Sequence, residues 1–402
     1  MSDRLVLKGI RVVEAASGVA GPMAACRLGD LGADVVKVEW GTGDWMRTCP
    51  PFLSDGSGAA FSALNRGKRS LFLGAAPEAD AVVPRRLVAA ADVFITDQDT
   101  ESLNALGLRD VDADMCAWNP KLIVAQISAL GKRGPLAAKP GSELGAQAMA
   151  GYTRYVGARG QPAVRLGADV AGCATAIFTA QAILAALISR RRDGRGQRVD
   201  LSLLNSLLSM KTVHLAAQSD PDAFEGPRVG GAYDPPERGW STADKAITFA
   251  FGGAVGAEGR PGWIRFVEDV GLSRLLADPR FDKTGRLTTG LGPKARELKA
   301  EYEAEFTKRS AADVVAKVRA FGGFASAYLT HDELLTEPQV RALDLVREVP
   351  SGNGTMRTLD FPVRFSSNPP VVRGNAPRLG EHTREIANEL GHADGSVRQA
   401  PP

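Results

Sequence analysis

Residues 7–40, LKGIRVVEAASGVAGPMAACRLGDLGADVVKVEW, decide the fold of this chain. They open with a short β-branched run, continue with helix-like apolar spacing, and end with a second β-branched run, DVVKVEW. A strand, a helix and a strand at this spacing predict a βαβ unit, which requires a parallel sheet and a right-handed crossover. The stretch lacks the G-x-G-x-x-G sequence of dinucleotide-binding folds, which argues against a dinucleotide enzyme.

The same alternation continues along the chain. RSLFL, DVFIT and KLIVAQIS predict strands, and EADAVVPRRLVAAA predicts a helix between the first two. We therefore expect an open, doubly wound α/β domain with a parallel sheet. A long helix over about residues 170–191 closes this region, and Gly194 can end it. VDLSLLNSLLSMKTVHLAAQ, residues 199–218, predicts a further helix.

A change of composition divides the chain. Residues 1–220 are predicted to form the first part of the large α/β domain. Residues 221–239, rich in proline, glycine and acids, predict a linker. Residues 240–345 predict a smaller α+β domain, with AITFAF as a strand, and residues 346–402 are expected to return to the large domain.

Composition excludes several classes of function. The 402 residues are 44% hydrophobic and 24% charged, with a net charge of +3, which is too mild to imply nucleic acid but suits a polyanionic small molecule. Four scattered cysteines and four histidines give no metal-ligand cluster and favour a reduced, cytoplasmic protein. Residues 171–188 are long enough for a membrane span, but they are Ala/Thr-rich and contain Gln181, so we expect a buried core helix and no membrane. The N-terminal sequence lacks the apolar segment of a signal peptide.

Asp169 stands directly before the long apolar helix. The commoner explanation is an N-cap, because an aspartate oxygen can accept an orphan backbone N–H there. The alternative is a nucleophile, because a helix N-terminus keeps a carboxylate ionised and offers N–H groups to developing charge. Position alone is compatible with both.

Two loops carry basic residues. NRGKRS, residues 65–70, brings together Arg66, Lys68 and Arg69, either to grip phosphates or to solvate a loop. GTGDWMR, residues 41–47, follows the strand that ends at Trp40, at the edge where open α/β sheets bind ligands. Its glycines are equally consistent with a plain turn. The chain contains neither a P-loop sequence nor a G-x-S-x-G nucleophile elbow.

Taken in order, these segments resemble the class III CoA-transferase family of the CaiB/BaiF type, which includes formyl-CoA and carnitine CoA-transferases and α-methylacyl-CoA racemases. The resemblance rests on residues 7–40 and on GDWMR, LNRGKRS, NPKLIVAQISALGKRGP, GADVAG, GRGQRVDLSLLNS and APRLGEHTREI. It implies an open α/β domain with a smaller domain inserted, and an interlocked dimer. It also implies a CoA-transferase with no permanently bound cofactor and no metal, acting on an acyl-CoA and a small carboxylic acid.

The resemblance also implies roles for individual residues. The family's nucleophilic aspartate corresponds to Asp169, which would form a mixed anhydride with the acyl group and then a thioester with CoA. Glu143 is expected to border the acyl pocket. The implied coenzyme contacts are Arg47, Arg66, Lys68, Arg69, Trp40, Val19 and Ala20.

Two alternatives remain open. A racemase needs a second proton-transfer group, usually a histidine, and the corresponding segment KPGSELGAQ, residues 139–147, has none, so transfer is preferred. A non-catalytic or half-catalytic subunit, paired with a homologous chain, would explain TDQDTES at 96–102, since acids there would repel CoA phosphates.

Overall fold

The chain forms two compact units in a computed structural model. The first unit contains residues 1–156, 164–210 and 338–402, and the second contains 157–163 and 211–337. The first unit thus ends at 210 rather than at the predicted 220, and it resumes at 338 rather than at 346. The structure describes residues 5–74, 82–108, 117–137, 139–153, 162–217, 219, 239–252, 256–257, 259–284, 295–352 and 354–391.

A parallel sheet forms the centre of the first unit, as predicted, and it has six strands among the described residues. The strands are β1 (Arg11–Ala15), β2 (Asp34–Glu39), β3 (Arg69–Phe72), β4 (Val93–Thr96), β5 (Ile123–Ser128) and β6 (Arg198–Ser202). Their order is β3-β2-β1-β4-β5-β6, and each described pairing is parallel. The direction of winding therefore reverses between β1 and β4, the point at which open α/β sheets bind ligands.

The sixth strand corrects one prediction. The predicted helix over 199–218 is instead β6 followed by two short helices, α7 (Leu203–Ser209) and α8 (Thr212–Ala217). Ser202 caps α7, because its hydroxyl accepts the backbone N–H of Asn205. The apolar run thus begins as an extended segment that pairs with β5 before the capped helix starts.

Among the described residues, eight further helices belong to the first unit. They are α1 (Ala20–Asp30), α2 (Ala59–Asn65), α3 (Val82–Ala89), α4 (Thr100–Ala105), α5 (Glu143–Met149), α6 (Val170–Asp193) and, after the second unit, α13 (Pro338–Leu343) and α14 (Thr383–Glu389). A 3₁₀ turn covers Trp45–Thr48, and strands β10 (Val346–Ser351) and β11 (Gly354–Leu359) form an antiparallel hairpin. Buried clusters against the sheet include Phe94, Leu87 and Ile386 in one and Ile95, Leu28 and Ile183 in another.

Helix α6 is the long helix predicted over about 170–191. It ends at Gly194, which adopts the left-handed conformation with φ of 70°, as a C-terminal glycine commonly does. By length and composition α6 is the one described helix that could cross a membrane, and half of its apolar window is buried. Ile183, Ala186 and Leu187 pack in the same cluster as the sheet residues Val12 and Ile123.

The second unit is a smaller α+β structure. Strands β7 (Trp240–Ser241), β8 (Ala246–Phe251) and β9 (Gly323–Ala327) form an antiparallel sheet. Its helices are α8 (Thr212–Ala217), α9 (Pro261–Asp269), α10 (Lys299–Phe306), α11 (Ala311–Ala320) and α12 (His331–Thr336), with 3₁₀ turns at Ser273–Ala277 and Ala295–Leu298. Aromatic residues, including Trp240, Phe249 and Trp263, fill its core. The predicted linker over 221–239 lies outside the described residues except for Gly239.

Candidate active site

A cavity of about 920 Å³ opens in the first unit at the carboxyl ends of β1, β4 and β5. This is the position expected for a ligand site in a sheet of this order. The cavity is lined by residues from five segments of the chain: 17–20, 45–46, 97–101, 126–143 and 169–172, together with Leu203. Asp169, Glu143, Val19 and Ala20, four of the residues chosen from the sequence, are among them.

Glu143 and Asp169 make different contacts at the start of α6. Glu143 accepts the backbone N–H of Ala171 with Oε1 and that of Gly172 with Oε2, both at 2.8 Å. Gln147 donates to the same Oε1 at 2.8 Å, one turn along α5. Asp169 occupies the N-cap position but makes no side-chain bond to the helix backbone. The capping role therefore falls to Glu143, and the Asp169 carboxylate is left for other contacts.

Gly172 permits the close packing that brings Glu143 to the helix. A Cβ atom at this position would lie 2.9 Å from Cβ of Val19 and 3.5 Å from Oε2 of Glu143. The first of these distances is shorter than side-chain carbons normally approach, so any larger residue would push Val19 away. The glycine of GADVAG thus keeps the N-termini of α1 and α6 close together beside the cavity.

Asp169 is paired with Arg165 on its exposed side. Nη2 of Arg165 contacts Oδ1 of Asp169, and the two side chains are 46% and 40% exposed. Arg165 is not among the described residues that line the cavity, whereas Asp169 is. The Asp169 carboxylate therefore faces both the cavity and an exposed guanidinium.

Charges of both signs border the cavity. Lys132 and Lys139, from the segment after β5, are exposed cations on its wall. Asp97, Asp99 and Glu101, from the turn after β4, also line it. Asp99 caps α4 through the N–H of Ser102 at 2.8 Å. The acids that the sequence singled out do face the cavity.

Asp97 is the acid of this turn whose ionisation is most perturbed. Burial raises the pKa of Asp97 to about 6, although the backbone N–H of Ser17 and the nearby ammonium of Lys37 lower it. The Ser17 N–H donates to Oδ2 at 3.0 Å. Asp97 therefore joins the end of β4 to the loop after β1 across the point where the sheet reverses direction.

The four basic residues predicted as coenzyme contacts are engaged inside the protein. Arg66 is buried and forms an ion pair with Asp30, and its Nη2 donates to Oδ2 at 2.9 Å. Lys68 is buried and donates to Oε2 of Glu14 at 2.6 Å. This arrangement corrects the sequence interpretation of both side chains, because buried charges are retained where they are paired.

Arg47 and Arg69 have the same kind of environment. Arg47 forms two hydrogen bonds with Glu39, at 2.8 and 2.6 Å, and its guanidinium stacks over Phe61. Arg69 bridges Asp34 and two acids of α14, Glu385 and Glu389. These guanidiniums tie separate segments of the fold together, which corrects the sequence interpretation of these two as well.

Trp40 lies beside a separate, smaller cavity. This cavity of about 260 Å³ is lined by residues 16–17 and 38–44, and it shares Ser17 with the larger one. Trp40 is partly buried against the core cluster of β2 and β3. The structure therefore separates Trp40 from the cavity that contains Asp169, while Val19 and Ala20 line that cavity.

A buried ion network fixes the cavity wall formed by Gly18 and Trp45. Nζ of Lys37 lies 2.8 Å from Oε1 of Glu14 and 3.0 Å from Oδ2 of Asp44. Oδ1 of Asp44 accepts the backbone N–H of Met46 at 3.0 Å and lies 3.4 Å from that of Gly18. The network thus anchors the loops after β1 and β2, which form one side of the site.

A sequence model of CoA-transferase family III matches residues 7–383. The chain belongs to this family. The resemblance seen in the sequence is therefore confirmed over nearly the whole chain.

Named CoA-transferases are similar to this chain over almost their full lengths. The succinate–glutarate CoA-transferase of Agrobacterium fabrum is 32% identical, with 96% of this chain and 95% of the relative covered. The formyl-CoA:oxalate CoA-transferase of Streptomyces avermitilis is 30% identical, with 98% and 97% covered. A CaiB/BaiF family protein from Brucella suis has a crystal structure that matches with a TM-score of 0.83, at 30% identity, covering 96% of this chain and 100% of that one.

Sequence reasoning missed three cations near the site of this family member. Lys132 and Lys139 lie within the segments NPKLIVAQISALGKRGP and KPGSELGAQ, from which sequence reasoning chose Glu143 but neither lysine. Arg165 stands four residues before Asp169, and this spacing brings two side chains together only where the backbone turns. The available signal was that Lys132 lies within a segment that carries the family resemblance, that Lys139 begins the segment compared with that of the racemases, and that Arg165 stands two residues before GADVAG.

Proposed function

We propose that the protein transfers CoA from an acyl-CoA to a carboxylic acid through covalent intermediates on Asp169. The observation that carries this proposal is the position of Asp169: its carboxylate lines the cavity, while Glu143 takes the helix N–H groups that would otherwise hold it. An accessible carboxylate beside a ligand cavity is what a nucleophile of this type requires.

The proposed reaction has two half-reactions. An Asp169 oxygen attacks the thioester carbonyl, the C–S bond breaks, and a mixed anhydride forms with release of CoA thiolate. The thiolate attacks Cγ of Asp169, the anhydride C–O bond breaks, and the donor acid leaves as a carboxylate. An acceptor carboxylate then reverses both steps. Each covalent intermediate conserves the free energy of the thioester, which hydrolysis would lose, so water must be kept from Cγ.

Lys132 and Lys139 are the proposed contacts for the coenzyme phosphates. Both side chains are exposed and line the cavity that contains Asp169, whereas Arg66 and Lys68 are buried away from it. Ammonium groups attract phosphates as point charges, and such contacts weaken as salt increases. Val19 and Ala20 are proposed to border the bound coenzyme.

Dicarboxylic acids are the proposed acids of the reaction. The relatives described above are named for succinate, glutarate and oxalate. We expect succinyl-CoA to serve as a donor and a short dicarboxylate as the acceptor. A matrix of acyl-CoA donors and carboxylate acceptors, analysed by mass spectrometry, identifies the pair with the highest kcat/KM.

A homodimer of interlocked chains is the proposed assembly, in keeping with the family resemblance. Its support here is a row of exposed residues on α6, in which Ile177 and Ile188 are 59% and 71% exposed. Large apolar side chains exposed in line on a helix are typical of an interface. A cytoplasmic location is proposed as well, supported by free thiols at Cys26, Cys49 and Cys173. Light scattering of the purified protein tests the dimer, and cell fractionation tests the location.

A second candidate is a half-catalytic subunit that pairs with a homologous chain. It is favoured by Asp97, Asp99 and Glu101, which line the cavity and would repel coenzyme phosphates placed against them. If the purified protein alone exchanges CoA between acids, the subunit proposal fails. If exchange of CoA requires a co-expressed homologue, the half-catalytic subunit replaces the homodimer as the proposal.

The decisive experiment uses hydroxylamine. The protein is incubated with succinyl-CoA in the presence and absence of hydroxylamine, digested, and analysed by mass spectrometry. A hydroxamate on Asp169, formed only when acyl-CoA is present, supports the proposal. Full activity after such treatment, with Asp169 unmodified, overturns it.

A further inference from the structure

The ion pair between Arg165 and Asp169 stands apart from the buried pairs of the fold. The two side chains are 46% and 40% exposed, whereas Lys37 and Glu14 are fully buried. Arg165 lies outside the helices, in the segment that leads to α6. An ion pair with this exposure adds little to stability, because water screens the two charges. Its guanidinium can therefore change partners at little cost.

Among the described residues, Arg165 is the cation that forms an ion pair with the Asp169 carboxylate. The N–H groups of Ala171 and Gly172 are directed at Glu143, and Asp169 has no side-chain bond to the helix backbone. The Asp169 carboxylate is thus contacted by an exposed guanidinium and makes no side-chain hydrogen bond to the helix backbone. Guanidinium groups bind carboxylates through two parallel N–H bonds, so a free carboxylate is the natural competitor for Arg165.

We propose that Arg165 changes partners during the reaction and binds the carboxylate of the acceptor acid. This inference rests on the function proposed above. In the free enzyme Arg165 pairs with Asp169. When Asp169 becomes the CoA thioester it loses its negative charge, and the guanidinium is left without an anion. The acceptor carboxylate then takes the place that the Asp169 carboxylate held.

The charge balance of the reaction fits this exchange. The acceptor oxygen attacks Cγ of Asp169, and the C–S bond breaks to give the anhydride and CoA thiolate. The thiolate attacks the acceptor carbonyl, the C–O bond to Asp169 breaks, and the new acyl-CoA leaves. One carboxylate exists before and one after the half-reaction, and no proton is gained or lost. Arg165 therefore has one carboxylate partner before the half-reaction, the acceptor, and one after it, Asp169.

The test compares a charged and a neutral nucleophile on the same intermediate. Arg165→Gln, Arg165→Lys and the wild type are loaded with succinyl-CoA, and the Asp169–CoA thioester is then discharged with glutarate or with neutral hydroxylamine. Arg191→Gln is the matched control, because it removes the same charge from the opposite end of α6. Release of CoA is followed with time.

The proposal predicts a selective defect. Arg165→Gln is expected to react with hydroxylamine at the wild-type rate and to need about tenfold more glutarate, which corresponds to the loss of about 1.4 kcal/mol of binding. Arg165→Lys should recover part of the affinity, and Arg191→Gln should behave as the wild type. Equal glutarate dependence in Arg165→Gln and the wild type overturns the proposal. An equal loss of the reactions with glutarate and with hydroxylamine also overturns it, because Arg165 would then affect the reactivity of Asp169 and not the binding of the acceptor. Failure of the wild type to form any thioester refutes the proposed function instead.

Discussion

Glu143 caps the helix that Asp169 precedes. The Glu143 carboxylate accepts two backbone N–H groups, from Ala171 and Gly172, each at 2.8 Å. A residue at the N-cap position usually does this with its own side chain. Here a residue from another helix does so, and the aspartate at the N-cap position lines the cavity. The Asp169 side chain therefore does not cap α6, and its role as a nucleophile stays a proposal.

Loss of the Glu143 carboxylate should affect both stability and transfer. Glu143→Ala leaves two backbone N–H groups without their acceptor, and we expect the free energy of unfolding to fall by about 1–2 kcal/mol. The freed amides are then available to bind the Asp169 carboxylate, so kcat should fall as well. Urea unfolding and transfer assays measure the two effects. Ser310→Ala is the control, because it removes a cap from α11 in the second unit. An unchanged kcat in Glu143→Ala would contradict this role.

Much of the fold could be predicted because its signals are local. The β-branched runs of β1 and β2 and the glycine at the end of α6 each depend on neighbouring residues. β6 was mistaken for helix because its sequence, RVDLS, is short and leads directly into the apolar run of α7. Its strand conformation depends on pairing with β5, more than 70 residues earlier in the chain.

The candidate site could be predicted only in part, for a similar reason. The resemblance identified Asp169 and Glu143, which both line the cavity. The basic residues were misinterpreted because their partners are distant in sequence: Arg66 pairs with Asp30, 36 residues away, and Arg69 with Glu389, 320 residues away. No local pattern distinguishes a cation that binds a ligand from one that meets an acid only after folding.

Arg66 is expected to support stability rather than coenzyme binding. Arg66→Met leaves the buried carboxylate of Asp30 without its guanidinium, and removing one member of a buried pair costs about 3–5 kcal/mol. The Arg66→Met, Asp30→Leu double variant should regain most of this loss, because no charge is then left unpaired. Thermal and urea unfolding measure the difference. A folded Arg66→Met enzyme with normal stability and a raised KM for acyl-CoA would instead restore Arg66 to the coenzyme site.

Lys139 and Lys132 are expected to act on the coenzyme. Lys139→Gln and Lys132→Gln should each raise KM for acyl-CoA about threefold to tenfold with little change in kcat, because each removes one charge that attracts phosphate. The effect should shrink as the ionic strength increases. Arg133→Gln, a change at an exposed residue next to Lys132, is the matched control. If all three variants have the wild-type KM, the coenzyme phosphates bind elsewhere.

Asp97 should make the protein less stable as pH increases. Burial raises its pKa to about 6 from an ordinary value of 3.8, so the folded state holds its proton more tightly than the unfolded state. Stability from this group is present below pH 3.8 and is lost as pH rises to 6. Asp97→Asn should therefore stabilise the protein above pH 7 by about 1–3 kcal/mol.

The change of this stability difference with pH shows whether the Asp97 carboxyl is its cause. The charged groups acting on Asp97 are Lys37, which lowers its pKa, and Glu14, which raises it. Urea unfolding of the wild type and Asp97→Asn is measured from pH 5 to pH 8. A stability difference that does not change over this range would show that the Asp97 carboxyl ionises normally.

The most direct test of the account is the mass of the enzyme during turnover. The wild type is mixed with succinyl-CoA in the absence of acceptor, quenched in acid, and digested for peptide mass spectrometry. The account predicts a CoA adduct on the peptide that contains Asp169, its disappearance when a carboxylate acceptor is added, and no adduct or transfer in Asp169→Ala. Undiminished CoA transfer by Asp169→Ala, or an adduct on a different residue, would contradict it.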